Sequence, residues 1–159
     1  MHGLISRRNE HGAATVEFVF LGVLILVPLF YVTIAIFSVQ SDVMGTMQAA
    51  REAGRAFATA PDVPTGVARA QYAMRLTLHD YGVHGNATLR FLSSGSSCSS
   101  AGPATSDRGP ASLDPGARFT ICVVSEINIP GVPTFFEGAS KTITARYEVQ
   151  VDKLRVKND

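Results

Sequence analysis

The chain has 159 residues, of which 46% are hydrophobic and 17% charged, and its formal net charge is +1. A balance this close to neutral sets up no broad basic field, which argues against nucleic acid as a partner. Setting aside the first 39 residues leaves about 120, enough for one small domain with a core of its own.

Residues 1–12 form a short polar head, with Arg7 and Arg8 just ahead of an apolar run. Phe18 to Val39 then carries no charged residue over 22 positions. As a helix at ~1.5 Å per residue it spans about 33 Å, against ~30 Å for a bilayer hydrocarbon core. Basic residues before a first apolar segment favour a cytoplasmic N-terminus, although Arg51 and Arg55 on the far flank weaken that count. The expected topology therefore rests on the order of parts: basic head, one span, long polar domain. A secretory signal is the rival reading, but its apolar core is usually about 7–15 residues and is followed closely by a small-x-small cleavage site. The clearest such site, Ala58-Thr-Ala60, lies well beyond the run, with weaker ones near Ser38. Retention of the span is the expectation.

Pro28 sits inside the run and is expected to bend the helix, which membrane helices tolerate. Gly22 offers a place for another helix to approach. No proline follows until Pro61, and Val43, Met47, Ala50, Gly54 and Phe57 recur at helical spacing. One helix from about Ala13 to Thr59 is predicted, half in the membrane and half outside it. Pro61-Asp-Val-Pro64 ends it. A second helix runs from Thr65 or Gly66 to Tyr81, with Val67, Ala70, Met74, Leu78 and Tyr81 on one face, and Gly82 stops it.

The period then changes to two. Ala87, Leu89 and Phe91 alternate with Thr88 and Arg90. Phe119 to Ile129 and Ile143 to Val151 repeat the pattern, which predicts antiparallel strands with one covered and one wet face. Ser93 to Gly116 is dense in Ser, Gly and Pro and reads as a loop. Ile129-Pro-Gly-Val-Pro133 separates the second strand from a short Phe135-Phe136 segment. The predicted fold class is α+β. A long transmembrane helix continues into a small exported domain, where one further helix packs on a sheet of about three to four strands. The divisions are a leader over 1–12, the helix over 13–60 with its span at 18–39, and the domain over 61–159 with its loop at 93–116.

The two cysteines, Cys98 and Cys122, both follow the span. Outside the cell membrane they would pair; otherwise they are two free thiols, one in a loop and one in a strand. The register puts Cys122 on the wetter face, within reach of that loop.

Catalytic patterns are weak. No Gly-x-Ser-x-Gly elbow occurs, and His79-Asp80 are helix neighbours rather than a positioned pair. His79, Asp80 and His84 cross a predicted helix end and lack further metal ligands. Asn86-Ala-Thr88 fits a glycosylation acceptor, a match common by chance. The chain reads as a non-enzyme without cofactor or metal.

Glu17 stands apart, an acid at the start of the apolar run. It either reaches back to the headgroups or makes a contact. If the head is cut after Gly12, the new amine of Ala13 lies four residues from Glu17, ~6 Å along the same helix face. In low dielectric such a pair attracts strongly, within one chain or between neighbours, and favours staggered packing of copies.

Gly12, then Glu17-Phe18 and a long apolar run, resembles the processing pattern of type IV prepilins and pseudopilins. The short basic head is similar to the Flp/Tad branch. The Ala49-Ala-Arg-Glu-Ala-Gly-Arg55 stretch resembles the helix after the anchor in TadE-like proteins. The resemblance covers residues 12–57 and is only architectural beyond them. It implies a minor pilin or pseudopilin of a tight-adherence pilus, single-pass in a bacterial cytoplasmic membrane with its C-terminal domain outside. It further implies Gly12 as the cut of a prepilin peptidase, Ala13 as the mature amine, and Glu17 with Phe18 as the assembly contact. Other pilins and the Tad inner-membrane platform are the implied partners. Major Flp pilins are very short and often carry Glu-Tyr, so Glu-Phe and a sizeable domain favour a minor, initiating or tip subunit. The alternative is a permanently anchored envelope protein whose outer domain binds a ligand. A secreted enzyme behind a signal peptide is a third, weaker reading.

Overall fold

A computed structural model describes residues 11–98, 112–128 and 140–154. The expected Phe135-Phe136 segment, most of the leader and most of the Ser/Gly/Pro-rich loop lie outside them.

The first helix, α1, is continuous over His11–Ala58, 48 residues with Pro28 inside it, which at ~1.5 Å per residue is about 72 Å of rod. Pro28 lacks the amide that would bond the carbonyl of Leu24, yet the chain is helical on both sides. One turn on, the Thr33 hydroxyl donates to the carbonyl of Leu29 at 2.8 Å.

The two halves of α1 meet different surroundings. Large apolar side chains from Val16 to Phe37 are exposed on every side of the rod. An all-round apolar helix needs an apolar medium or apolar partners. From Gly45 onward the helix turns a stripe of small residues inward, with Ala49, Ala50, Ala53 and Phe57 fully buried.

The sequence pattern puts Met47 on that stripe. It is instead 53% exposed, and Ala49 and Ala53 take the buried positions. Helix and strand approach closely here, where a Cβ on Gly54 would stand 2.7 Å from Val149 Cγ2.

The second helix, α2, spans Val63–Asp80. It starts two residues earlier than expected, because Asp62 caps it and Pro64 fits its first turn. The Thr65 amide donates to Asp62 Oδ1 at 2.9 Å and the Thr65 hydroxyl to Oδ2 at 3.0 Å. The amide bond, and after it the hydroxyl bond, hold the Asp62 carboxyl below its ordinary range. Proline costs nothing there, since first-turn amides have no intrahelical partner. Gly82, at φ +74°, ends the helix as expected. Its amide and that of Val83 donate back to the carbonyls of His79 and Leu78. Val67, Ala70, Met74 and Leu78 are buried, whereas Tyr81, expected with them, is 41% exposed.

Three antiparallel strands follow: β1 (Ala87–Ser93), β2 (Arg118–Asn128) and β3 (Ser140–Gln150), with β2 in the centre. The inner face carries Leu89, Phe119, Ile121, Val123, Ile127, Ala145 and Val149, all buried against the helices. Phe57 of α1 anchors one end of this core, its ring 4.9 Å from Phe91 and 5.0 Å from Phe119. Val83 and Ile127 close the other end, nearest the apolar half of α1.

The outer sheet face departs from expectation. Cys122 and Thr120 lie on it, yet both are fully buried. Cys122 is disulfide-bonded to Cys98, with 5.7 Å between their Cα atoms. The bond draws the segment after β1 back across the sheet, where the Ser94 hydroxyl also donates to the Glu148 carboxylate. Replacing both cysteines with serine is expected to lower stability by about 3 kcal/mol in the chain-entropy account of a loop this long. The shift in urea midpoint of the full chain, with and without reductant, measures it.

Candidate functional site

The residues singled out in the sequence fall into separate groups. Gly12 and Ala13 lie in the first turn of α1. Glu17 and Phe18 follow within two turns, both exposed, with Phe18 at 79%. Among the described residues Glu17 faces no cationic side chain within ion-pair distance. A carboxylate at the rim of an apolar rod is free to meet a cation brought by something outside the fold.

His79 and Asp80 form an exposed pair at 3.9 Å. Among the described residues no group of three His, Cys, Asp or Glu side chains is placed to hold a metal. Asn86 and Thr88 are exposed at the start of β1.

A second site was not legible in the sequence. Between α1, the α2–β1 turn and the end of β2 is a cleft of about 300 Å³, lined by Ser38, Asp42, Val83, His84, Glu126 and Ile127. Ser41 ties the wall together by donating to the carbonyl of Tyr81 at 3.4 Å. The Glu126 amide donates to the carbonyl of Asn86 at 2.9 Å, which seats the end of β2 beside the turn. Burial pushes the Asp42 carboxyl above its ordinary value, and the nearby His84 pulls the other way. Asp42 and His84 are far apart in the chain and meet only through tertiary packing, so no spacing motif announces them. The one cue is Asp42 itself, the first acid after the apolar run.

No protein-family model, curated protein or solved structure matches the chain.

By length and composition, α1 is the described helix able to cross a membrane. Its apolar half is compatible with a single-pass anchor, and its other half is the centre of the domain. The apolar segment and the helix that packs on the sheet are thus one continuous α1.

Proposed function

We propose that the protein is a TadE-like minor pilin or pseudopilin, a membrane-inserted subunit for assembly of a Flp/Tad-type pilus serving adhesion, secretion or DNA uptake. The observation that carries this reading is the unbroken α1, apolar and uncovered from Val16 to Phe37, with Glu17 at its rim and a folded domain on its far half. An anchor that only held a domain at a membrane would need neither the acid nor a rigid helical continuation. A subunit that slides out of the bilayer into a bundle of like helices uses both. The rod supplies lateral apolar contact, and the carboxylate supplies register by pairing with a neighbour's amine.

In this reading a prepilin peptidase cuts after Gly12, leaving Ala13 as the mature amine. The N-terminus faces the cytoplasm and the domain lies outside, an oxidising setting that suits the Cys98–Cys122 bond. Pro28 gives the span a bend, and Glu17 with Phe18 forms the assembly contact. The domain is too large for a packed shaft of short pilins, which favours an initiating or tip position.

Affinity capture of the chain from its native envelope tests the partners. Other pilins and the inner-membrane assembly platform are expected in the eluate, and they should vanish when that machinery is deleted. An eluate unchanged by the deletion would point to a permanently anchored receptor instead.

A further inference from the structure

We propose that the helical side of the domain, where α1 and α2 lie together beyond the membrane span, docks an amphipathic helix of another protein whose apolar stripe is flanked by Asp and Glu. The inference rests on the fold of the domain and on the position of the span, not on pilus assembly.

The apolar part comes from two ridges. Beyond Phe37 the exposed large apolar side chains among the described residues are Met44, Met47, Tyr72, Leu76, Tyr81 and Leu154. All but Leu154 belong to α1, α2 or the residue that caps α2. Met44, Met47, Arg51 and Arg55 follow at helical spacing on the side of α1 opposite the buried Ala49, Ala53 and Phe57. Arg69, Tyr72 and Leu76 do the same on the side of α2 opposite Val67, Ala70 and Met74. The two helices pack on each other and on the inner face of one sheet, so both ridges are turned away from it. Neighbouring helix ridges leave between them the furrow in which a further helix seats.

Charge selects the partner. From Met44 to Asp80 the strong cations are Arg51, Arg55, Arg69 and Arg75, all exposed, and no lysine occurs. Among the described residues only Arg55 of these has an ion pair, with Glu52 at 3.7 Å. The acids of the two helices are engaged at home: Glu52 with Arg55, Asp62 with the first turn of α2, and Asp80 with His79. Arginine, methionine and tyrosine together, with lysine missing, are what protein interfaces enrich and deplete. Carboxylates on an incoming helix can meet the guanidinium groups two bonds at a time. A second copy of this chain would instead bring the same four arginines against the face, a like-charge contact. Lipid does not reach it, since Arg55 stands about 24 Å along α1 beyond Val39.

Two labelled synthetic helices test the proposal, sharing one leucine stripe that is flanked by Glu in the first and by Lys in the second. Each is titrated onto the full chain in detergent. The Glu helix is expected to bind about tenfold more tightly than the Lys helix, the scale of one well-placed charge contact, and added salt should weaken it. Arg51→Glu/Arg69→Glu, at exposed positions outside the core, should reverse the order, whereas Arg118→Glu/Arg146→Glu on the outer sheet face should leave it unchanged. Equal binding of the two helices, or a preference that survives Arg51→Glu/Arg69→Glu, overturns the proposal. In the native envelope, a photo-crosslinker at position 72 is expected to join an acidic amphipathic helix of another protein, mapped by mass spectrometry of the adduct. Adducts confined to lipid or to a second copy of this chain, or no adduct at all, overturn it too. None of these results bears on Ala13 or Glu17, so the pilus reading stands or falls separately.

Discussion

Phe57→Ala is expected to destabilise the domain by about 3–5 kcal/mol, the range for truncating a fully buried aromatic. Phe57 has no exposed surface. It joins α1, β1 and β2 through ring contacts with Phe91 and Phe119, and its ring also lies 3.0 Å from where a Cβ on Gly66 of α2 would stand. Four elements therefore meet on one side chain. The disulfide joins the outer sheet face and cannot fill the resulting cavity. Against a total of about 5–15 kcal/mol for a typical domain, the loss is a large fraction. Urea unfolding of the full chain in detergent, followed by circular dichroism, reads it as a drop in midpoint. Phe57→Leu, which keeps most of the volume, should recover more than half of the loss. A midpoint unchanged in Phe57→Ala would mean that the core does not converge there.

Glu17→Ala is expected to leave membrane level and domain fold intact while assembly with other subunits is lost. Glu17 lies about 40 residues, some 60 Å of helix, from Phe57, so the two substitutions act on separate ends of the rod. Removing the carboxylate also makes the segment easier to accommodate in lipid. Loss of protein from the membrane would therefore be the wrong outcome, and loss of sheared surface filaments the right one. Glu17→Asp, with the charge kept but its reach shortened, should assemble partially. Filaments at the normal level in Glu17→Ala would leave the acid as a headgroup contact and favour the permanently anchored reading.

Much of the fold could be read from periodicity, because the structure is built from two clean periods. The uncharged run from Phe18 to Val39 marks the exposed apolar half of α1, and the alternation through Ile143, Ala145, Tyr147 and Val149 marks β3 with its buried and exposed sides. The errors share a physical origin. Met47 fits the apolar spacing, but the buried stripe of α1 runs through Ala49, Ala50, Ala53 and Phe57, and spacing alone does not tell these rows apart. Pro64 was taken as a barrier, whereas Asp62 caps the helix and a first-turn proline needs no donor. Cys122 is on the outer face that its alternation indicates and is bonded to Cys98 of the loop expected to reach it; what alternation does not show is that this face is buried there. The cleft beside Asp42 and His84 was invisible for the same reason, being a product of tertiary packing alone.

In the proposed reading α1 is a processed assembly helix and not a fixed anchor. The intact mass of the chain isolated from its native envelope tests it most directly. The account predicts a mature protein beginning at Ala13, carrying the Cys98–Cys122 bond and present in sheared surface material. A chain that still retains residues ahead of Ala13, confined to the membrane, would contradict it.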